Sequence, residues 1–221
     1  MKCKILIIPI VWFACLASAQ EKPCVLISVS GNTEVRGENE LNWEPAQNGR
    51  IFKERETIRT AGAATARIQT SEGEVFVLSN DAQIEARDLR KLGRDEVVME
   101  LTAMALQHLP SGKDTASFRE KPSAFILHGN LPENRESQAS KESQSYLKNE
   151  ERGALALFEQ SYFAGFILKW NRLLNAFPEF ASEPVEAALI QAYDKMGMPL
   201  RKQQALERFK QRWPNSTLLP Q

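Results

Sequence analysis

Histidine and cysteine, the residues that most often build metal sites and nucleophilic centres, are scarce in this sequence. Its 221 residues include two histidines, His108 and His128, and three cysteines. Neither histidine has a cysteine or a carboxylate at metal-ligand spacing, and there is no glycine-rich phosphate-binding loop. The paired carboxylates Glu54 and Glu56 lie in a charged loop, which favours solvation over acid–base chemistry. We therefore expect a protein that is not an enzyme and needs no metal or cofactor.

The sequence also lacks an excess of either charge, with 28 Lys and Arg residues against 28 Asp and Glu residues. Nucleic acids and anionic membrane surfaces attract proteins through basic patches. The charge balance therefore argues against both as partners. The long apolar run near the start, residues 5–16, is shorter than the roughly 20 residues that a membrane-spanning helix needs.

The amino-terminal segment, residues 1–19, has the pattern of a cleaved secretory signal. Lys2 and Lys4 precede the apolar run, and Ala17-Ser18-Ala19 follows it. We predict cleavage between Ala19 and Gln20, no membrane span after cleavage, and a periplasmic or extracellular protein. Cys15 leaves open a lipidated cysteine instead, although the aromatic residues before it fit a lipoprotein signal poorly.

Cleavage at Ala19 would leave Cys24 as the single cysteine, so an intramolecular disulfide could not form. Cys24 directly precedes the apolar residues Val25–Ile27. This position favours a small apolar residue that enters the first strand over a reactive thiol.

Short runs rich in β-branched and apolar residues predict an all-β region after the signal. The predicted strands are Val25–Val29, Thr33–Arg36, Thr65–Thr70, Glu74–Leu78, Val97–Thr102 and Pro122–Asn130. Residues 30–32 are predicted as a turn. Ser71-Glu72-Gly73 predicts the tight turn of a hairpin between the third and fourth runs.

The middle of this region resembles the FecR-like periplasmic domain. Gly49 and Ile51 open the pattern of that family, and residues 58–60 (Ile-Arg-Thr) match its threonine corner. Residues 66–68, 72–73 and 78–80 stand at its strand, turn and exit, while Arg55-Glu56 replaces its usual Gly-Asp pair. The resemblance spans about residues 25–130 and implies an antiparallel β-sandwich-like domain over residues 20–131.

Trp43, in the predicted loop 37–45, has two interpretations. Its large ring favours an aromatic cap over one end of the sheet, since such a ring can bury much apolar area. The alternative is a binding platform for cell-wall carbohydrate.

Residues 132–146 are polar and poor in apolar side chains, which predicts a linker. Beyond them, apolar residues recur at spacings of three and four, as in amphipathic helices. We expect one helical run to break near Gly165 and another helix to begin at Ser182-Glu183-Pro184. A last helix should carry Ala205 and Phe209.

Two aromatic–proline pairs, Phe177-Pro178 and Trp213-Pro214, lie 36 residues apart and close two predicted helices. This period is near the roughly 34 residues of a tetratricopeptide unit, and residues 213–216 (Trp-Pro-Asn-Ser) resemble the terminator of such repeats. The resemblance implies a helical-repeat domain over residues 147–221 that binds another envelope protein. The first helix of each repeat would supply the partner contacts: Glu151, Glu159, Gln191, Asp194 and Lys195.

Two functional hypotheses follow for this multi-domain β plus α protein. The preferred one is a secreted, non-catalytic envelope protein that acts as a binding or scaffold module. The alternative is a module that binds cell-wall carbohydrate (peptidoglycan) through Trp43. The iron-transport regulators after which the FecR family is named carry a cytoplasmic segment and a membrane span, which argues against that role here.

Overall fold

The computed structural model describes residues 23–107 and 133–218, which form an antiparallel β-sheet followed by five α-helices. The strands are β1 (Cys24–Arg36), β2 (Glu44–Pro45), β3 (Ile51–Phe52), β4 (Thr57–Gln69), β5 (Val75–Ser79) and β6 (Gln83–Glu85). A short 3₁₀-helix (Ala86–Leu89) follows them. The helices are α1 (Arg94–Gln107), α2 (Glu133–Glu159), α3 (Phe163–Ala176), α4 (Glu183–Lys195) and α5 (Pro199–Arg212). The predicted order, β and then α, is confirmed.

Several predictions concern residues that lie outside the described ranges. They are the secretory signal with its cleavage site and Cys15, the two histidines, and the strand Pro122–Asn130.

The two 13-residue strands β1 and β4 form the centre of the sheet, in the order β2–β1–β4–β5. Strand β3 pairs with β1, and β6 pairs with β4, all antiparallel. Leu26, Ile68 and Phe76 are neighbours across three strands and share the buried face. All described strands belong to one six-stranded sheet, and the sandwich-like form of the domain stays a prediction.

The β4–β5 hairpin forms as predicted, with Gly73 at its turn (φ +86°). The predicted turn at residues 30–32 is wrong, because β1 continues through it. The pairing of β1 with β4 shifts register between Ser30 and Asn32, where Gly31 has a φ of +75°. A glycine at positive φ can build a β-bulge inside a strand as well as a turn between strands.

The predicted strand Val97–Thr102 is also wrong, because these residues lie in α1. The Gly93 carbonyl accepts a hydrogen bond from the Val97 N–H at 3.1 Å, and the Glu96 side chain accepts one from the Gly93 N–H at 2.7 Å. Val97 and Leu101, one turn apart, are the buried residues of this helix. A short apolar run fits a strand and a helix equally well, and here the capped start selects the helix.

The polar segment 132–146, predicted as a linker, is helical from Glu133. It forms the first half of α2, and the carboxyl-terminal half of the same helix packs on β5 and β6. Tertiary packing of the apolar end supplies most of the stability of α2. The polar first turns can therefore be helical without burying apolar side chains.

Glycines let α2 and α3 approach the end of the sheet very closely. A Cβ atom added to Gly153 of α2 would lie 1.8 Å from the Gln83 carbonyl oxygen, and one added to Gly165 of α3 would lie 1.8 Å from the Asp88 carbonyl oxygen. The helix break falls at residues 160–162, a few residues before the predicted position at Gly165. The role of Gly165 is therefore close contact, not helix termination.

The free edge of β5 is covered by one side chain of the α2–α3 connection. The Gln160 amide accepts a hydrogen bond from the Val77 N–H and donates one to the Val77 carbonyl, both at 2.8 Å. A side-chain amide thus takes the place of the next strand at this point.

The sheet and the helices share one continuous hydrophobic core, which runs from sheet residues such as Phe76 to Phe209 of α5. Helix α3 lies at its centre, because α1, α2, α4 and the 3₁₀-helix all contact it. The regions predicted as separate domains therefore pack directly against each other.

The two aromatic–proline pairs end α3 and α5 in the same way, as their repetition in the sequence predicts. Phe177 has φ −132° and ψ 75°, and Trp213 has φ −128° and ψ 71°. Each backbone N–H donates to the carbonyl four residues earlier at 2.8 Å. The predicted cap of α4 is also confirmed, since the Ser182 side chain accepts a hydrogen bond from the Val185 N–H.

Candidate functional site

A polar groove of about 380 Å³ lies between α3, α4 and α5. Its lining residues are Asn171 of α3, Tyr193 of α4, and Arg201, Gln204, Glu207, Arg208 and Gln211 of α5. Most of the groove is thus built by one helix.

The lining residues of α5 follow helical periodicity. Arg201, Gln204, Arg208 and Gln211 recur at i, i+3, i+7 and i+10, which places them on one face. The buried residues of the same helix are Ala205 and Phe209, which face the core. Helix α5 is therefore fixed through its apolar side and presents a polar stripe along the groove.

Helix α5 carries five basic residues and a single acidic one. Lys202 pairs with Asp194 at 2.7 Å, and Arg212 pairs with Glu186 at 3.4 Å. Arg201 and Arg208, in contrast, make no hydrogen bond or ion pair with another residue of the described ranges. The groove thus contains two guanidinium groups that can bind a ligand without breaking a hydrogen bond or a close ion pair, although Arg208 is near enough to Glu186 to act on its charge.

The floor of the groove is held by hydrogen bonds. The Asn171 side-chain amide donates to the Ile167 carbonyl at 2.7 Å and to the Tyr193 hydroxyl at 3.4 Å. Tyr193 is 2% exposed. These side chains form a fixed base, whereas the α5 side chains above it are exposed and can adjust to a ligand.

The carboxylates near the groove are already engaged. Glu207 lines the groove and accepts a hydrogen bond from Gln203 at 3.1 Å. Glu186 of α4 is buried; burial raises the pKa of its carboxyl above the ordinary value, and the charges of Arg212 and Arg208 oppose this effect. Neither carboxylate forms an ion pair with Arg201 or Arg208.

None of the five residues predicted as partner contacts lines this groove. Gln191, Asp194 and Lys195 are exposed near the end of α4, where Asp194 is bound to Lys202. Glu151 accepts a hydrogen bond from the Ser182 hydroxyl at the start of α4, roughly 13 Å along the helix axis from Gln191. Glu159 is exposed on the last turn of α2. The predicted set is thus spread over two helices and both ends of α4.

Trp43 packs against two arginines of the sheet. The guanidinium carbons of Arg59 and Arg36 lie 3.9 Å and 4.5 Å from its ring, and Arg59 also pairs with Glu34 at 2.7 Å. Such cation–π contacts occupy the ring face that a sugar would need. Trp43 therefore holds β1 and β4 side chains together in this structure and does not present an open platform.

A second polar cluster is buried where α2 and α3 meet the end of the sheet. Lys169 pairs with Glu150 and lies 3.7 Å from Asp88, which also pairs with Arg172. The Gln83 amide donates to Glu150 at 2.7 Å. Asp88 and Lys169 are 1% and 3% exposed. Two cations balance two carboxylates, so we interpret this largely buried charge network as structural.

Cys24 begins β1, as predicted, and forms no disulfide. Burial raises the pKa of its thiol, although a backbone hydrogen bond from Ser71 opposes this shift. The thiolate is therefore disfavoured, in agreement with the prediction of a packing role.

Within residues 23–107 and 133–218, no group of three or more His, Cys, Asp or Glu residues is arranged to hold a metal ion. In the same part of the chain, no helix combines the length and the apolar character needed to cross a membrane.

The site residues predicted from the sequence did not include Arg201, Gln204, Arg208 or Gln211. One signal for them was available in the helical spacing of these polar residues and the basic excess of α5. The groove itself could not be found in this way, because it depends on the positions of Asn171 and Tyr193 in two other helices.

The structure defines a mixed β plus α protein with a basic, polar groove between its last three helices. No protein-family model, curated protein or solved structure matches the chain. The resemblances to FecR-like domains and to tetratricopeptide repeats therefore stay predictions.

Proposed function

We propose that this protein is a secreted, non-catalytic binding or scaffold module whose helices hold another envelope protein in the groove between α3, α4 and α5. The observation that carries the proposal is the pair Arg201 and Arg208, exposed in a groove and without an ion-pair partner in the described chain. The sequence resemblances support the same role, because both families supply interaction modules. The sheet would then act as the scaffold that positions the helices.

The dimensions of the groove favour a segment of protein over a small molecule. The stripe from Arg201 to Gln211 extends about 15 Å along α5, at the 1.5 Å rise per residue of a helix. Its lining is polar and exposed on the α5 side, whereas sites for small molecules are mostly apolar and enclose their ligand. An extended chain of about five residues would match this length.

A photo-crosslinking experiment tests the proposal. The full chain, with the photoreactive benzoylphenylalanine in place of Gln204, is irradiated in envelope extracts of its source cells. We expect crosslinks to one defined protein, identified by mass spectrometry of the joined peptides. The control carries the same group at Lys210, which is exposed on α5 outside the groove. Truncation is a poor alternative, because removal of the helices would expose the shared core.

The crosslink at Gln204 should disappear in a variant with Arg201→Gln and Arg208→Gln, and it should persist with Lys210→Gln. Absence of a crosslink from Gln204, or the same products from both labelled positions, would contradict a docking role of the groove.

Binding of cell-wall carbohydrate through Trp43 is less well supported, because Arg36 and Arg59 cover the ring. Co-sedimentation with cell-wall fragments decides this point. Loss of binding in Trp43→Ala, with an unchanged circular dichroism spectrum, would favour the carbohydrate hypothesis over docking.

A further inference from the structure

The two unpaired arginines are spaced for a particular kind of ligand. Arg201 and Arg208 are seven residues apart on one face of α5, a separation of about 10.5 Å along the axis. Gln204 lies between them, and Gln211 follows one turn after Arg208. A side-chain amide can both donate and accept, so these glutamines can pair with the backbone of a bound chain.

Guanidinium groups bind carboxylates through two parallel hydrogen bonds, which makes carboxylates the matching groups. In a polyproline II chain, residues i and i+3 point in the same direction about 9.3 Å apart. In a β-strand, residues on one face are only about 6.6 Å apart. In an α-helix, the backbone N–H and C=O groups are already hydrogen-bonded within the helix, so they cannot pair with Gln204 and Gln211.

On the basis of the proposed docking function, we infer that the groove selects acidic segments in polyproline II conformation, with two carboxylates three residues apart at Arg201 and Arg208. The polyproline II backbone makes no internal hydrogen bonds, so its N–H and C=O groups are free to pair with Gln204 and Gln211. The partner is thus a proline-rich, acidic stretch of an envelope protein.

Glu207 adds selectivity against other anions. Its carboxylate lines the same groove, so the groove contains two positive charges and one negative charge. A continuous run of negative charge, as in a nucleic acid or an anionic membrane surface, meets repulsion there, whereas two separated carboxylates do not.

The test is a binding measurement with purified protein (residues 20–221) and synthetic fluorescent peptides, followed by fluorescence anisotropy at 0.15 M salt. The main probe contains Glu-Pro-Pro-Glu. The comparison peptides contain Gln-Pro-Pro-Gln, which has no charge, and Glu-Glu-Pro-Pro, which has the same charge at another spacing. We expect Glu-Pro-Pro-Glu to bind about tenfold more tightly than either comparison peptide, because Gln-Pro-Pro-Gln lacks charge-assisted bidentate pairs and Glu-Glu-Pro-Pro cannot place its two carboxylates on Arg201 and Arg208 at once.

Arg201→Gln and Arg208→Gln should each weaken Glu-Pro-Pro-Glu binding about tenfold and abolish the preference for spacing. Both residues are exposed, so the fold should not change. Lys210→Gln removes the same charge from the same helix outside the groove and should change the affinity less than about twofold. Arg201→Lys tests the bidentate geometry and should restore only part of the affinity.

Equal binding of Glu-Pro-Pro-Glu and Glu-Glu-Pro-Pro, or equal losses in Arg208→Gln and Lys210→Gln, would overturn the inference in favour of nonspecific attraction. Phosphatidylglycerol vesicles or single-stranded DNA that bind more tightly than the peptide, with the same sensitivity to Arg201→Gln, would overturn it as well. A crosslink from position 204 without peptide binding leaves the docking function standing and removes only the acidic partner. Peptide selectivity without any crosslinked protein would support the inferred specificity of the groove and contradict the proposed docking of an envelope protein.

Discussion

Replacement of Gly153 by alanine tests the close contact between α2 and β6. In the interior of an exposed helix, this change would stabilise a protein by about 1 kcal/mol, because glycine is the weaker helix former. In this structure, however, the new Cβ would lie 1.8 Å from the Gln83 carbonyl oxygen and 2.7 Å from its carbon. Real Cβ atoms essentially never approach other atoms within 3.0 Å, so the backbones must separate by about 1.2 Å.

The expected cost follows from that displacement. The hydrogen bond from Gln83 to Glu150, 2.7 Å long and one helical turn from Gly153, would lengthen beyond bonding range. Overpacking of a core costs about 1–3 kcal/mol, and a buried polar group left without its partner costs about 1–3 kcal/mol. After the gain in helix propensity, we expect Gly153→Ala to lower the free energy of unfolding by roughly 3 kcal/mol.

Urea unfolding followed by tryptophan fluorescence measures this change. Gly165→Ala should act in the same direction, because its Cβ would meet the Asp88 carbonyl at the same distance. Gly93→Ala is the control, since its Cβ would meet only the Glu96 carboxylate at 3.5 Å, and we expect a change of about 1 kcal/mol or less. A Gly153→Ala protein more stable than the wild type would refute the proposed contact.

Three further predictions concern charges and the sheet edge. Lys169→Met should lower the free energy of unfolding by about 3–5 kcal/mol, because it leaves the buried Glu150 carboxylate without its cation. A hydrogen bond from the Gly62 N–H, with smaller contributions from the Arg152 guanidinium group, holds the pKa of Asp81 below its ordinary value of 3.8. The stabilisation from this lowered pKa is fully present above pH 3.8. The wild type should therefore lose any advantage in unfolding free energy over Asp81→Asn as the pH falls through the lowered pKa. Gln160→Leu should promote self-association, because it frees the Val77 N–H and carbonyl on the edge of β5.

Each of these predictions has a direct control. For the charge network, adding Glu150→Leu to Lys169→Met should recover part of the loss, and an unchanged urea midpoint for Lys169→Met alone would contradict the prediction. For Asp81, parallel stability curves of wild type and variant between about pH 2 and 6 would contradict a lowered pKa. For Gln160, sedimentation velocity should detect oligomers that the neighbouring exposed change Glu159→Leu does not produce.

Local patterns in the sequence predicted the local features of the fold well. The hairpin at Ser71–Gly73, the serine cap of α4 and both aromatic–proline helix ends depend on a few adjacent residues, and all are confirmed. Runs of apolar residues were ambiguous where a strand and a helix would both place them on one face. Val97–Thr102 is the main example, because its apolar residues suit a strand as well as the helix that forms.

The polar start of α2 and the groove could not be predicted for a different reason. Composition described residues 132–146 correctly as polar, but the helix there depends on contacts that its later residues make with β6. The groove likewise requires α3, α4 and α5 to lie side by side. A rule borrowed from tetratricopeptide repeats selected the first helix of each pair for partner contacts, whereas the unpaired arginines are on α5, the second helix of its pair.

Because α3 and α5 end in the same geometry, further helix pairs could be added after α5 by protein engineering. After each aromatic terminator the chain turns in the same way, with hydrogen bonds from Phe180 to Phe177 and from Ser216 to Trp213 at 3.0 Å and 3.1 Å. The first of these turns leads directly into α4. A copy of residues 181–216 joined after Ser216 would keep the Ser182 cap and would therefore start in the direction that α4 takes, and each added copy would lengthen the helical part by one helix pair and one basic stripe. If the groove binds the proposed partner, such a series would contain several identical sites, and its avidity would be set by the number of copies.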